Sequence, residues 1–138
     1  MIFEKILVPY DNSANAELAL KKALALASLT KSTITVVHVI AYHSAMAKIV
    51  EPYKETIIAH VKNFLQKVEQ NALKKHIKIE KKILYGNPAE ELLNLMKKKK
   101  FDLVIMGKRG TTKITGPSLG SVSNALVQHS KVPVLVIT

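Results

Sequence analysis

Short apolar runs alternate along this chain with longer segments in which apolar residues recur every three or four positions. A short continuous run is typical of a parallel strand that is buried on both faces. Such runs predict strands at residues 3–9, 33–40, 103–106 and 134–138. Residues 77–84 instead alternate apolar with charged side chains, which indicates a further strand near an edge of the sheet.

The segments between the strands carry helical spacing and helix-start residues. Ser13 is a favoured N-cap. An apolar stripe at helical spacing follows it, with one lysine at its edge: Leu18, Ala19, Lys22, Ala23, Leu26 and Ala27. Asn87 and Pro88 mark another helix start, because Asn caps well and Pro is tolerated at the first helical position. The order of elements predicts an α/β fold: an open five-stranded parallel sheet with helices on both faces. We expect residues 1–138 to form a single domain.

The stretch from Asp102 to Ser123 carries the most distinctive glycine spacing in the chain. Gly107 and Gly110 follow the fourth predicted strand, and Gly120 precedes the last helix. A glycine after a strand lets the backbone turn sharply and lets a ligand approach the main chain. The first turn of a helix has free N–H groups and a partial positive charge, so it attracts phosphate. The spacing therefore indicates a cradle for an anion, most plausibly the phosphates of a nucleotide.

Side chains around these glycines fit the same interpretation. Lys108, Arg109 and Lys113 add positive charge, and Ser121 and Ser123 add hydroxyl donors. The residues alone leave a second interpretation open, in which both serines only cap the helix.

Three predicted strands end at the edge where ligands bind in open α/β sheets. Their last residues are Pro9-Tyr10-Asp11, His38-Val39-Ile40 and Met106-Gly107. We expect these segments to meet the start of the last helix in one crevice. Asp11 alone is also consistent with a purely structural role, in which its carboxylate stabilises the turn before the first helix.

Composition and charge narrow the class of protein. The chain has 138 residues, no cysteine and a formal net charge of +11. Disulfides and cysteine-bound zinc are therefore excluded. No apolar run reaches membrane-spanning length and no signal-peptide pattern is present, so we expect a cytoplasmic protein without a membrane partner. The lysines are scattered in pairs without interleaved aromatic residues, which favours solvated surfaces over a nucleic-acid interface.

The spacing G-x-x-G-x9-G-[ST], formed by Gly107, Gly110, Gly120 and Ser121, resembles the ATP-binding motif of the universal stress protein family. The opening segment K-I-L-V-P-Y-D-N-S and the closing segment V-P-V-L-V-I are also similar to that family, so the resemblance covers the whole chain. It implies a Rossmann-like, adenine nucleotide alpha-hydrolase-like fold with strand order 3-2-1-4-5. Asn12, Lys108 and the pair Gly116-Pro117 depart from the usual family pattern.

The resemblance also implies which residues bind ATP. Asp11 would contact the adenosine beside Pro9, and the main chain of Val39 would meet the adenine edge. The residues around the ribose and phosphates would be Met106, Gly107, Arg109, Gly110, Gly120, Ser121, Val122 and Ser123. Magnesium would arrive with the phosphates. The last strand, from Val134 to Thr138, would pair with its copy in a homodimer.

A nucleotide-dependent regulatory protein is the function that these features favour. ATP would order residues 111–119 and change the surface that an unknown regulatory partner meets. No convincing general base or nucleophile is present, so at most slow ATP hydrolysis is expected and no catalytic residue is assigned.

Three other functions remain open. The first is a stress-linked dimeric interaction module that works without nucleotide. The second is an enzyme that adenylates a substrate, although the segment after the first strand lacks the Ser-Gly-rich loop such enzymes carry. The third is a basic nucleic-acid binder, whose binding would collapse as salt rises.

Overall fold

The computed structural model describes residues 3–41, 47–110 and 118–138. Lys113 and the pair Gly116-Pro117 lie outside the described residues. The elements, in chain order, are β1 (Lys5–Pro9), α1 (Ala14–Thr30), β2 (Thr33–Ala41), α2 (Ala47–Val50), a 3-10 turn (Glu51–Tyr53), α3 (Lys54–Lys74), β3 (Ile79–Gly86), α4 (Pro88–Lys98), β4 (Leu103–Gly107), α5 (Ser121–His129) and β5 (Val134–Ile137).

The five strands form one parallel sheet in the order β3-β2-β1-β4-β5. This confirms the predicted parallel sheet and the strand order that the family resemblance implied. β1 lies at the centre, where Ile6 pairs with Ile34 of β2 and with Leu103 of β4. The charged strand β3 lies at one edge, as its alternating pattern predicted, and β5 lies at the other.

The helices cover both faces of the sheet, and each face has its own apolar layer. Ile6 and Val8 point to the layer that contains α1 and α3. Leu7, between them, points to the opposite layer with α4 and α5. Alternate residues of a strand face opposite sides, so a central strand that is buried on both faces must be continuously apolar. The predicted fold class is confirmed.

Two helix starts follow the capping residues that the sequence indicated. Ser13 Oγ accepts a hydrogen bond from the Ala16 N–H at 3.1 Å, and Asn87 Oδ1 accepts one from the Glu90 N–H at 3.1 Å. Each side chain satisfies a donor that has no partner inside its helix. These caps fix where α1 and α4 begin, at the edge of the sheet to which the strands point.

The predicted apolar stripe of α1 is confirmed at Ala19, Ala23 and Ala27, which are buried, but it is wrong at Leu18. Leu18 is 45% exposed, whereas Leu20 is only 2% exposed and packs in the core. Eleven of the 17 residues of α1 are Ala or Leu, so several faces of this helix carry apolar side chains. The spacing alone therefore could not place the centre of the stripe.

No helix in the described ranges is both long enough and apolar enough to cross a membrane.

Candidate functional site

A cleft of about 580 Å³ opens at the carboxyl edge of the sheet. Clefts that hold small ligands typically measure roughly 300–1,000 Å³. All of the binding residues expected from the sequence line it: Pro9, Asp11, Val39, Met106, Gly107, Arg109, Gly110, Gly120, Ser121, Val122 and Ser123. The strand ends and the start of α5 thus meet in one crevice, as the order of elements predicted.

The first turn of α5 is fastened to the segment that follows β4. The carbonyl of Lys108 accepts hydrogen bonds from the Gly120 N–H at 2.9 Å and from Ser123 Oγ at 2.6 Å. Within α5, the first main-chain bond runs from the Asn124 N–H to the Gly120 carbonyl. The N–H groups of residues 121–123 therefore precede the helical ladder, and they lie at the positive end of the helix beside the cleft.

Ser121 and Ser123 differ in what they can offer a ligand. Ser123 is buried, and its hydroxyl hydrogen is used in the bond to Lys108. Its hydroxyl therefore holds the helix against Lys108 rather than capping an N–H of α5, and its main-chain N–H is the group left for an anion. Ser121 is exposed in the wall of the cleft.

Arg109 is the only arginine in the chain, against 20 lysines. Its Nε donates a hydrogen bond to the Ser118 carbonyl at 3.1 Å. Its Nη2 is buried, and among the described residues it is the one buried side-chain nitrogen or oxygen without a hydrogen-bond partner. A buried polar group without a partner costs free energy. A guanidinium matches the geometry of a phosphate or carboxylate, so this donor is suited to an anion in the cleft.

The motif glycines are required by close contacts rather than by unusual backbone angles. Gly86 is the one described glycine with positive φ. A Cβ at position 107 would lie 2.7 Å from the main-chain carbonyl carbon of Asn15 in α1. Gly107 therefore lets α1 pack against the end of β4, a role that the glycine spacing alone did not indicate. At position 120, a Cβ would lie 3.2 Å from the Cα of Arg109.

Asp11 combines a structural contact with a place in the cleft. Its Oδ1 accepts a hydrogen bond from the Ser13 N–H at 3.0 Å, which supports the turn before α1. Its Oδ2 lies so close to Gly110 that a Cβ at position 110 would be 2.4 Å away. The carboxylate therefore links the β1–α1 turn to the glycine segment after β4.

The main chain of Val39 lies where β2 extends beyond β1. The last β1–β2 pair is Pro9 with Val37, and the Tyr10 N–H donates to the Val37 carbonyl at 2.8 Å. In a parallel strand, the main-chain groups of residues two apart point to the same side. The N–H and C=O of Val39 therefore point to the same side of β2 as β1. Because the pairing of β1 with β2 has already ended at this point, these groups face the cleft.

His38 and Tyr10 also line the cleft, where the sequence placed their segments without naming either residue as a binding residue. His38 Nδ1 lies 2.8 Å from the Tyr10 carbonyl, so this nitrogen carries the proton that is donated. Burial lowers the pKa of His38, although the Tyr10 carbonyl and Asp11 oppose that shift. A polar residue near the carboxyl end of a buried strand is the signal that could have pointed to His38.

The Tyr10 hydroxyl is anchored away from the ligand space. It donates a hydrogen bond to Glu17 Oε2 at 2.5 Å. Burial, and then the Glu17 carboxylate, raise the pKa of Tyr10 well above its usual range. Tyr10 therefore stays neutral and acts as a fixed wall between β1 and α1.

Within the described part of the chain, no group of three or more His, Asp or Glu side chains is arranged to hold a metal ion.

The strand order defines an α/β protein of the Rossmann-like class, with a cleft at the carboxyl edge of its sheet. The model of the universal stress protein family matches residues 2–138, and the chain belongs to this family.

Individual relatives agree with this assignment. Universal stress protein YxiE of Bacillus subtilis is 31% identical, and the match covers 99% of both chains. Among solved structures, universal stress protein UspA from Lactobacillus plantarum is 26% identical, with a TM-score of 0.90 over 100% of this chain and 99% of that one. A universal stress protein solved in complex with cAMP has the same fold, with 22% identity and a TM-score of 0.76 over 100% of this chain and 98% of that one.

Proposed function

We propose that this protein is a nucleotide-dependent regulator that binds ATP in the strand-end cleft. The observation that carries the proposal is Arg109, the chain's only arginine, whose buried Nη2 lacks a partner among the described residues. A phosphate at the start of α5 would provide that partner. The family member that was solved with cAMP supports an adenine nucleotide as the ligand class.

The phosphates would lie at the positive end of α5. They would meet the main-chain N–H groups of residues 121–123 and the hydroxyl of Ser121, with the guanidinium of Arg109 at their side. Gly107 and Gly110 project no side chain into the cleft, and their close contacts are with Asn15 and Asp11 respectively. Magnesium would be held by the phosphates, because that ion commonly keeps its waters and binds through substrate phosphates.

The adenosine would extend from α5 across the ends of β1 and β2. Asp11 would contact the ribose, and Pro9 and Met106 would pack against the sugar and base. The exposed main-chain edge of Val39 would hydrogen-bond the adenine. In this arrangement the phosphates occupy the positively charged end of the cleft and the base occupies the less polar end.

Signalling, rather than catalysis, is the role we assign to nucleotide binding. Asp11 is the one carboxylate in the described lining of the cleft, and its Oδ1 accepts the Ser13 N–H. His38 also lines the cleft, but it lies on β2, at the end proposed for the base and away from the phosphates at α5, so hydrolysis should be slow at most. Binding would change the surface near residues 111–119 for a regulatory partner in the cytoplasm.

The protein would work as a homodimer of single domains that span residues 1–138. β5 lies at the edge of the sheet and its Leu135 is 45% exposed. An unpaired apolar edge strand is a surface for pairing with a second copy. A dimer that works without nucleotide is the second candidate function, and the same edge strand favours it.

Calorimetric titration with ATP and magnesium tests the proposal, after removal of any co-purified nucleotide. We expect saturable binding of ATP by the wild type. The affinity of Arg109→Gln for ATP should be lower by about tenfold or more, since charge-assisted hydrogen bonds are worth about 1.5–3 kcal/mol each. Lys78→Gln, which removes the same charge from an exposed position outside the cleft, is the matched control. No binding by a folded, nucleotide-free wild type would favour the nucleotide-independent dimer.

A further inference from the structure

We propose that the cleft accepts an adenine nucleotide whose exocyclic amine carries an apolar substituent. A second, smaller cavity of about 240 Å³ adjoins the cleft and would hold that substituent. We call this cavity the annex. Its described lining consists of Ile40, Val50, Glu51, Lys54, Ile57, Ile58 and Tyr85. The inference rests on the proposed nucleotide function and specifies the ligand further.

The annex and the cleft share two wall residues. Ile40, near the end of β2, and Ile57, in the first turns of α3, line both spaces. A ligand that reaches these two side chains from the cleft therefore stands at the entrance of the annex. The volume of the annex is below the roughly 300 Å³ of the smallest typical ligand pockets. It is suited to a substituent of a larger ligand rather than to a separate ligand.

The sheet order gives the direction in which the nucleotide would point. The anion end of the cleft lies at α5 and the end of β4, whereas the annex lies at the ends of β2 and β3. Since the strands follow the order β3-β2-β1-β4, the path from phosphates to ribose to base leads towards the annex. The six-membered ring of a purine lies opposite its ribose, so the exocyclic amine is on the leading edge of the base.

The walls of the annex favour hydrocarbon over polar groups. Four of the seven described lining residues are aliphatic, and Tyr85 adds an aromatic ring. Glu51 and Lys54 are the charged members and carry opposite signs. An alkyl or benzyl group would gain from burial here, whereas a further phosphate would lose hydration without a matching cluster of positive charge.

Titration with ATP and with N6-benzyl-ATP tests the inference. We expect N6-benzyl-ATP to bind the wild type about tenfold or more tightly, because the annex would remove the apolar surface of the benzyl group from water. Val50→Trp should fill the annex and remove that advantage, while the affinity for ATP stays within about twofold. Val50 lines the annex and is absent from the lining of the cleft.

Ile49→Trp is the matched control. Ile49 precedes Val50 in α2, is 66% exposed and does not line the annex. This variant should keep the preference for N6-benzyl-ATP. A loss of preference in both variants would show that the short helix, rather than the annex, sets the affinity, and would overturn the inference.

The other outcomes separate this inference from the proposed function. Tight ATP binding without any preference for N6-benzyl-ATP overturns the inference about the annex and leaves the proposed function intact. A preference that survives Val50→Trp also overturns it. Failure of both ligands to bind the folded wild type refutes the proposed function and the inference together. Binding of N6-benzyl-ATP alone, if Val50→Trp abolishes it, supports the annex and replaces ATP as the ligand.

Discussion

Gly110 and Asp11 are in direct contact across the cleft: a Cβ at position 110 would lie 2.4 Å from Asp11 Oδ2. These residues belong to different strand-end segments, 99 positions apart in the sequence. The glycine thus allows the carboxylate to reach its place beside the segment after β4. The contact connects the two halves of the proposed nucleotide site.

Gly110→Ala should therefore weaken ATP binding by displacing Asp11. We expect the affinity for ATP to fall about tenfold, because a contact this short forces the carboxylate to move. If the effect acts through Asp11, then Gly110→Ala should lower the affinity for ATP much less in an Asp11→Ala background. Calorimetric titration of the four proteins measures this coupling. Equal losses in both backgrounds would show that position 110 acts independently of Asp11.

Gly107→Ala should affect folding before it affects binding. The added Cβ would lie 2.7 Å from the main-chain carbonyl carbon of Asn15. Main-chain atoms of a helix cannot move aside as easily as the end of a flexible side chain. We expect a loss of about 1–3 kcal/mol in the free energy of unfolding, measured with urea. Gly120→Ala is the comparison, because its closest contact is 3.2 Å and its cost should be smaller. Wild-type stability in Gly107→Ala would contradict the packing role.

Ser123→Ala should destabilise the protein through the Lys108 carbonyl. The variant removes the 2.6 Å hydrogen bond that ties α5 to the end of β4. A loss of about 0.5–1.5 kcal/mol in the free energy of unfolding is expected. Ser121→Ala, at an exposed position in the same helical turn, should change stability by less than about 0.5 kcal/mol. The reverse order of the two effects would show that Ser121 is the structural residue.

His38 should make the protein less stable as the pH falls. Because burial lowers the pKa of His38 in the folded state, the unfolded state binds the proton more readily. The free energy of unfolding should therefore decrease below about pH 6.5, the ordinary histidine pKa, and continue to fall towards the lowered value. It should be insensitive to this group above that range.

His38→Asn tests this pH dependence, because its amide can still donate to the Tyr10 carbonyl but cannot titrate. Urea unfolding between pH 5 and pH 8 should show a shallower pH dependence in the variant than in the wild type. His129→Asn, at an exposed position in α5, serves as the control. Parallel curves for the wild type and His38→Asn would exclude His38 as the source.

Leu135→Lys should separate the proposed dimer into monomers. The substitution places a charge on the edge strand β5, where charged residues oppose strand pairing. Leu29→Lys is the matched control, because Leu29 is 83% exposed on α1, away from the edge strand. Light scattering across a range of concentrations measures the mass. A wild type that is monomeric throughout, or a Leu135→Lys variant that stays dimeric, would contradict dimerisation through β5.

Local features of the sequence were sufficient to predict the elements and their order. Continuous apolar runs identified the buried strands, and the charged alternation of residues 77–84 identified the edge strand. Ser13 and Asn87 marked helix starts because a cap acts on amides only three residues away. The spacing of Gly107, Gly110 and Gly120 and the family resemblance selected the residues that line the cleft.

What the sequence could not supply depends on residues that are far apart in the chain. The burial of Leu20 rather than Leu18 depends on which aliphatic face of α1 meets the sheet. The contact of Gly107 with Asn15, the bond between His38 and Tyr10, and the annex beside Ile40 all arise when separate segments are brought together. Periodicity and capping report local preferences, whereas close contacts and cavities are created only when the strands and helices pack.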